Sequence, residues 1–218
     1  ECADKSLESV KRAWPYKMVD YWVKRCKCVY GKSVIGKGLP EEMDSALNIL
    51  LSGSADARLC AKMGLLYYAG YFYGIDKKYA NDNLLGLLND DETRDLSWRI
   101  MLGNPNANLR RFVMKYSVIV SLNKEIPSAE EKFKKKLYEF AIMVMSDASL
   151  KCASFDNLFM KIISKDNREN DLNLFSDVFY KFYSKGFNGR SSRNIWDKWM
   201  SKYYAKRMSG WPCIASSY

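Results

Sequence analysis

Apolar residues recur at helical spacing along almost the whole chain. The clearest stripe is Met43, Ala46, Leu47, Leu50 and Leu51, the i, i+3, i+4, i+7, i+8 positions of one helix face. Pro40-Glu41-Glu42 opens that helix, with acids at the positive end of its dipole, and Gly53 closes it. The same pattern predicts helices over 6–14, stopped by Pro15, and over 16–29, with 31–38 as a loop. Further helices are predicted over 54–68, 77–88, 92–102 and 106–122, the third of these ended by Gly103-Asn104-Pro105. Ser128 and Glu131 have the spacing of a capping box and predict a start there for a helix reaching Met145. Stretches 154–163, 172–185 and 193–208 complete the set, with Gly186 and Gly210 as stops.

Breakers are scarce. The 218 residues hold 5 proline and 12 glycine, so most of the chain is left to the helical segments. With 48% hydrophobic and 28% charged residues, the balance is that of a folded protein with a real core. The expected architecture is all-α, one domain over 1–218. Its helical hairpins stack as an irregular α-solenoid or a compact helical bundle. No run of 18 apolar residues is present, so no transmembrane helix is expected.

Within that pattern, Met43 to Ala80 resembles a Sel1-like repeat, a relative of the tetratricopeptide repeats. The residues that carry the likeness are Ala46-Leu47, Gly53, Ala57, Met63-Gly64 in place of the family's Leu-Gly, Tyr67, Gly70, Gly74-Ile75-Asp76 and Ala80. The segment from Ala57 to Met63 is about two residues longer than the family pattern, and one unit is legible. Small residues at a helix crossing let backbones approach, Tyr67 is expected to fill the space between helices, and Gly70 and Gly74 to terminate and turn the chain. The resemblance implies a solenoid piece, 43–80, whose concave surface binds protein. It implies no catalytic residues and no cofactor.

Charge and chemistry narrow the function. Lys and Arg number 35 against 25 Asp and Glu, giving +10 with no histidine anywhere. Without imidazole there is no Ser-His-Asp or Cys-His nucleophile and no histidine metal ligand. Gly31-Lys32-Ser33 echoes the end of a phosphate loop but lacks the upstream glycine. Asp90-Asp91-Glu92 and Glu130-Glu131 are the paired carboxylates, and both sit where acids stabilise helix starts. No catalytic, cofactor-binding or metal-binding residue is assigned.

Six cysteines, Cys2, Cys26, Cys28, Cys60, Cys152 and Cys213, are spread over the chain. An even count, and a start at Glu1-Cys2-Ala3 without methionine, lead to the expectation of a periplasmic or secreted protein stapled by disulfides. Cys26 and Cys28 are too close to bridge each other easily, so different partners are expected for them. A zinc site would need more paired cysteines than this one near-module.

Two clusters are candidates for partner contact. Tyr71-Phe72-Tyr73, read as a turn, cannot all face inward, so at least one is expected at the surface. Near the C-terminus, Trp196, Trp199, Met200 and Tyr203 share one helix face while Lys198, Lys202 and Lys206 line another. The aromatic face reads as core and the lysines as a solvated rim able to meet acidic groups. The expected function is a non-enzymatic, exported protein-binding module, in its concrete form a periplasmic immunity protein that blocks an antibacterial effector through an acidic surface. The rivals are a carboxylate-dependent cell-wall glycan hydrolase and a basic nucleic-acid or anionic-surface binder. Export weighs against nucleic acid.

Overall fold

The computed structural model describes residues 6–105, 107–113, 116–146, 169–184 and 196–209. Among them every regular element is helical and none is a strand. The chain gathers into two compact units, Glu1–Ser121 and Leu122–Tyr218, and the division falls within one helix.

The first unit opens with α1 (Leu7–Arg12) and α2 (Trp14–Tyr30). The expected stop at Pro15 is corrected. The break comes at Ala13, whose extended backbone separates the helices, and Pro15 sits in the first turn of α2. A first-turn proline removes an N–H that has no helical acceptor anyway. Then come α3 (Glu41–Leu51) and α4 (Ala55–Tyr67), neighbours joined by three residues. Ser54 caps α4 by accepting from the Ala57 amide. Of the α3 stripe, Met43, Leu47 and Leu50 are buried in the core, and Ala46 and Leu51 are partly exposed.

α2 lies along α4, burying Tyr16, Val19, Val23 and Cys26. The two run in the same direction. Gly64 lies against Val19 and the Tyr16 carbonyl, Tyr68 donates to Asp20, and Tyr71 lies beside Cys26, so later residues meet later residues. At the first of these contacts a Cβ on Gly64 would sit 3.0 Å from the Val19 Cβ. That glycine sets how closely the helices approach. Each fully buried valine in the seam contributes roughly 1.5–3 kcal/mol.

α5 (Ala69–Ile75) continues from α4 after a break at Tyr68, and α6 (Lys77–Asn89) is capped by Asp76, which accepts from the Tyr79 amide at 2.9 Å. Gly70 lies in the first turn of α5, which corrects its reading as a terminator, and Gly74 is the helix's penultimate residue. The Tyr67 ring meets Tyr16 and the turn at Gly103. α7 (Arg94–Met101) places Trp98 in the core, where its indole N–H donates to Ser121 Oγ at 3.1 Å and that hydroxyl donates to the Leu88 carbonyl. Within the predicted helix over 106–122, the described residues form α8 (Ala107–Val113) and the start of α9 (Tyr116–Ser128).

The second unit contains the end of α9, α10 (Glu131–Met145), α11 (Glu169–Ser184), a π-helical turn (Trp196–Met200) and α12 (Ser201–Met208). The capping box is corrected. α9 continues through Pro127, the Ser128 hydroxyl donates back to the Lys124 and Glu125 carbonyls, and Glu130 precedes α10 without a side-chain cap. Serine late in a helix has its own carbonyls within reach, so its hydroxyl is taken before it can cap the next one. α10 packs on α11, with Phe133, Leu137, Ala141 and Val144 buried and a Lys134–Asp171 ion pair of 2.9 Å at the seam. Helix 154–163 and the stops Gly186 and Gly210 lie outside the described residues.

Asp20 ties the first unit together electrostatically. It accepts from Tyr68 and, at 2.7 Å, from Lys24. Partial burial alone would raise its pKa, but the hydrogen bonds from Lys24 and Tyr68 and the charges of Lys24 and Lys27 outweigh burial and hold it below the ordinary carboxylate range. A folded-state value below the unfolded ~3.9 means that ionised Asp20 stabilises the fold above that pH, and the contribution is lost as pH falls through the folded value. Denaturant titrations from about pH 5 down to about pH 2 should show wild type losing an increment of stability that Asp20→Asn does not lose. Parallel acid limbs would show that Asp20 makes no such contribution.

Candidate functional site

The sequence-picked clusters fare differently. Tyr71, Phe72 and Tyr73 are not in a turn. They sit on α5, where Phe72 is fully buried and the two tyrosines are half-buried. Phe72 packs on Tyr79, and Tyr73 meets Phe112 edge-on at 5.6 Å. Lys27 Nζ lies 5.0 Å from the Tyr71 ring centre. Burial, with the Cys26 thiol beside it, pushes the Tyr71 hydroxyl pKa well up. The turn reading is corrected: this segment is helical, Phe72 turns to the core, and Tyr71 and Tyr73 each keep part of their surface exposed.

The C-terminal cluster keeps its aromatic face and gains partners. Trp199, Met200 and Tyr203 are buried as core, while Trp196 stays 46% exposed. The π-helical turn holds Trp196, and such turns recur at functional sites because they shift side chains out of α-helical phase. Across from it, α11 presents Ser176, Phe179 and Tyr180, which share one face at i, i+3 and i+4. Together with Met200, Tyr203 and Tyr204 they line a groove of about 500 Å³.

Its floor is apolar and fixed. Phe179 stands edge-on to Trp199 at 5.5 Å, and Phe175 meets Tyr203 at 5.3 Å. Ser176 Oγ and the Tyr203 hydroxyl lie 3.5 Å apart there. The rim is aromatic and open. Tyr180 is 71% exposed, and Trp196 and Tyr204 stack with centroids 5.6 Å apart. A planar or extended apolar group can lie between such rings and lose water on both faces, with hydroxyls left to orient it.

Lys202 is exposed beside this groove on α12, and the Lys198 and Lys206 side chains lie outside the described residues. Phe179, Tyr180 and Tyr204 were not singled out by sequence reasoning. The available signal was the aromatic richness of 175–183.

Cysteine chemistry is described for three positions. No disulfide joins any of Cys26, Cys28 and Cys60; Cys26 and Cys60 are buried and Cys28 is exposed. Cys2, Cys152 and Cys213 lie outside the described residues. Asp90, Asp91, Glu92, Glu130 and Glu131 are all exposed, and Lys135 pairs with Glu131 at 2.8 Å. Among the described residues no three of His, Cys, Asp and Glu cluster as metal ligands, and no helix is long and apolar enough to cross a membrane.

No protein-family model matches the chain, and no curated protein or solved structure matches it either.

Rim and floor should separate in a stability scan. Phe179→Ala opens a cavity and should cost about 3–4 kcal/mol. Tyr180→Ser should stay within about 0.5 kcal/mol of wild type in the same denaturant titration. A large loss for Tyr180→Ser would make it a core residue and close the groove.

Proposed function

We propose that this chain is a non-enzymatic helical binding module that holds a protein partner through the aromatic groove of its second unit. The observation that carries this reading is the exposed rim of Tyr180, Trp196 and Tyr204 over a rigid aromatic floor. Large aromatics at the centre of a water-excluding pocket are the residues that dominate binding energies between proteins. An apolar side chain from the partner enters the groove, and the +10 charge steers encounter with an acidic surface.

The rest of the reading follows the same logic. The partner is a bacterial effector, and the module acts as a periplasmic immunity or inhibitor protein by covering the effector's active surface. The Sel1-like character of 43–80 belongs to this proposal. Support for it comes from α3 and α4 as adjacent helices joined by a short turn. Export and disulfide stapling are part of it too, with one bridge between two of Cys2, Cys152 and Cys213.

The test is quantitative binding. A partner recovered with the tagged protein, then purified, should lose at least about thirtyfold in affinity to the double variant Tyr180→Ser with Trp196→Ser, with helical circular dichroism unchanged. Equal affinities for wild type and this variant would remove the groove from the interface and the proposal with it.

A further inference from the structure

A second surface, on the first unit, has a different chemistry. α2 buries Tyr16, Val19, Val23 and Cys26 against its neighbours. At 100° per residue, its opposite side gathers Trp14, Lys17, Tyr21, Lys24 and Arg25 within about 100° of arc. All five are exposed, Trp14 at 64%. Towards the C-terminal end of the helix Val29 is 60% exposed, and Ile35 in the following loop is 56% exposed. That loop is anchored, because the Gly36 and Gly38 amides donate to the Gly74 and Ile75 carbonyls at 3.0 and 3.2 Å. Ile35 is thus presented from a fixed position.

Charge runs the same way. Between Trp14 and Lys37 stand Lys17, Lys24, Arg25, Lys27, Lys32 and Lys37 against Asp20 alone. Asp20 is engaged by Lys24 and Tyr68, and Arg25 reaches Glu42 at 3.4 Å across to α3. Lys17, Lys32 and Lys37 make no ion pair among the described residues. The face therefore carries Trp14, Tyr21 and Val29 over roughly 22 Å, interleaved with Lys17, Lys24 and Arg25, and the following loop adds Lys32 and Lys37.

We propose that this face of α2 docks on the surface of a bilayer rich in anionic phospholipid. Trp14 and Tyr21 have an apolar body and a polar tip, which suits the headgroup level. Val29 and Ile35 gain by entering the acyl boundary, and the lysines neutralise headgroup phosphates. A nucleic acid would use the cations and stack on the aromatics but offers nothing to the aliphatic side chains. This surface is independent of the groove on the second unit, so either can fail alone.

The test is sedimentation of the full chain with vesicles of phosphatidylcholine alone or with about 30% phosphatidylglycerol. The expected result is partitioning to the anionic vesicles only, weakened at least about tenfold when salt rises from about 0.05 M to about 0.5 M. Trp14→Ser with Tyr21→Ser, and separately Lys17→Glu with Lys32→Glu, should each lower partitioning about tenfold or more while circular dichroism is unchanged. The proposal is overturned if wild type ignores anionic vesicles, binds neutral ones equally, or is matched by both variants. It is also overturned if single-stranded RNA displaces the vesicles and binds the Trp14/Tyr21 variant as tightly as wild type, which would assign the face to nucleic acid.

Discussion

The first unit rests on one close approach, that of α2 to α4 at Gly64. With no side chain there, Val19 and the Tyr16 carbonyl lie within about 3.3 Å of where a Cβ would stand. Everything further along the seam depends on that spacing: the Tyr68 bond to Asp20, the packing of Tyr71 beside Cys26, and Lys27 over both tyrosine rings. Because α2 is anchored on that side, its other side is committed to solvent, and the same rotation that buries Val19 and Val23 exposes Trp14 and Tyr21.

The second unit solves its packing with rings. Tyr138, Phe175, Phe179, Trp199 and Tyr203 meet in a chain running from α10 through α11 to the π-helical turn and α12, edge-on except for Phe175 and Phe179, which stack. Edge-to-face geometry fixes each ring by its neighbours, so the groove floor is pre-organised.

Periodicity made much of the fold legible. Met43, Leu47 and Leu50 bury as their spacing requires, and the start of α4 at Ser54 and of α6 at Asp76 follows from cap chemistry. Local signals failed where a residue had a second option. Ser128 bonded backwards into α9, and Gly70 was absorbed into α5, where burial of Ala69, Phe72 and Ile75 offsets a cost of roughly 1 kcal/mol for a helical glycine. The groove was half legible. Its Trp196, Met200 and Tyr203 share a visible face, but Phe179 and Tyr180 come from a helix distant in sequence, and a π-helical turn alters the phase on which a helical wheel relies.

The measurement that bears most directly on this account is the stability of Gly64→Leu by chemical denaturation. A leucine at that point must push Val19 and the α2 backbone away, so a loss of about 2–3 kcal/mol is expected, with the midpoint shifted and Asp20 returned towards an ordinary carboxylate pKa. A variant as stable as wild type, with Asp20 unchanged, would mean that α2 and α4 do not meet at Gly64 and would contradict the arrangement on which both faces of α2 depend.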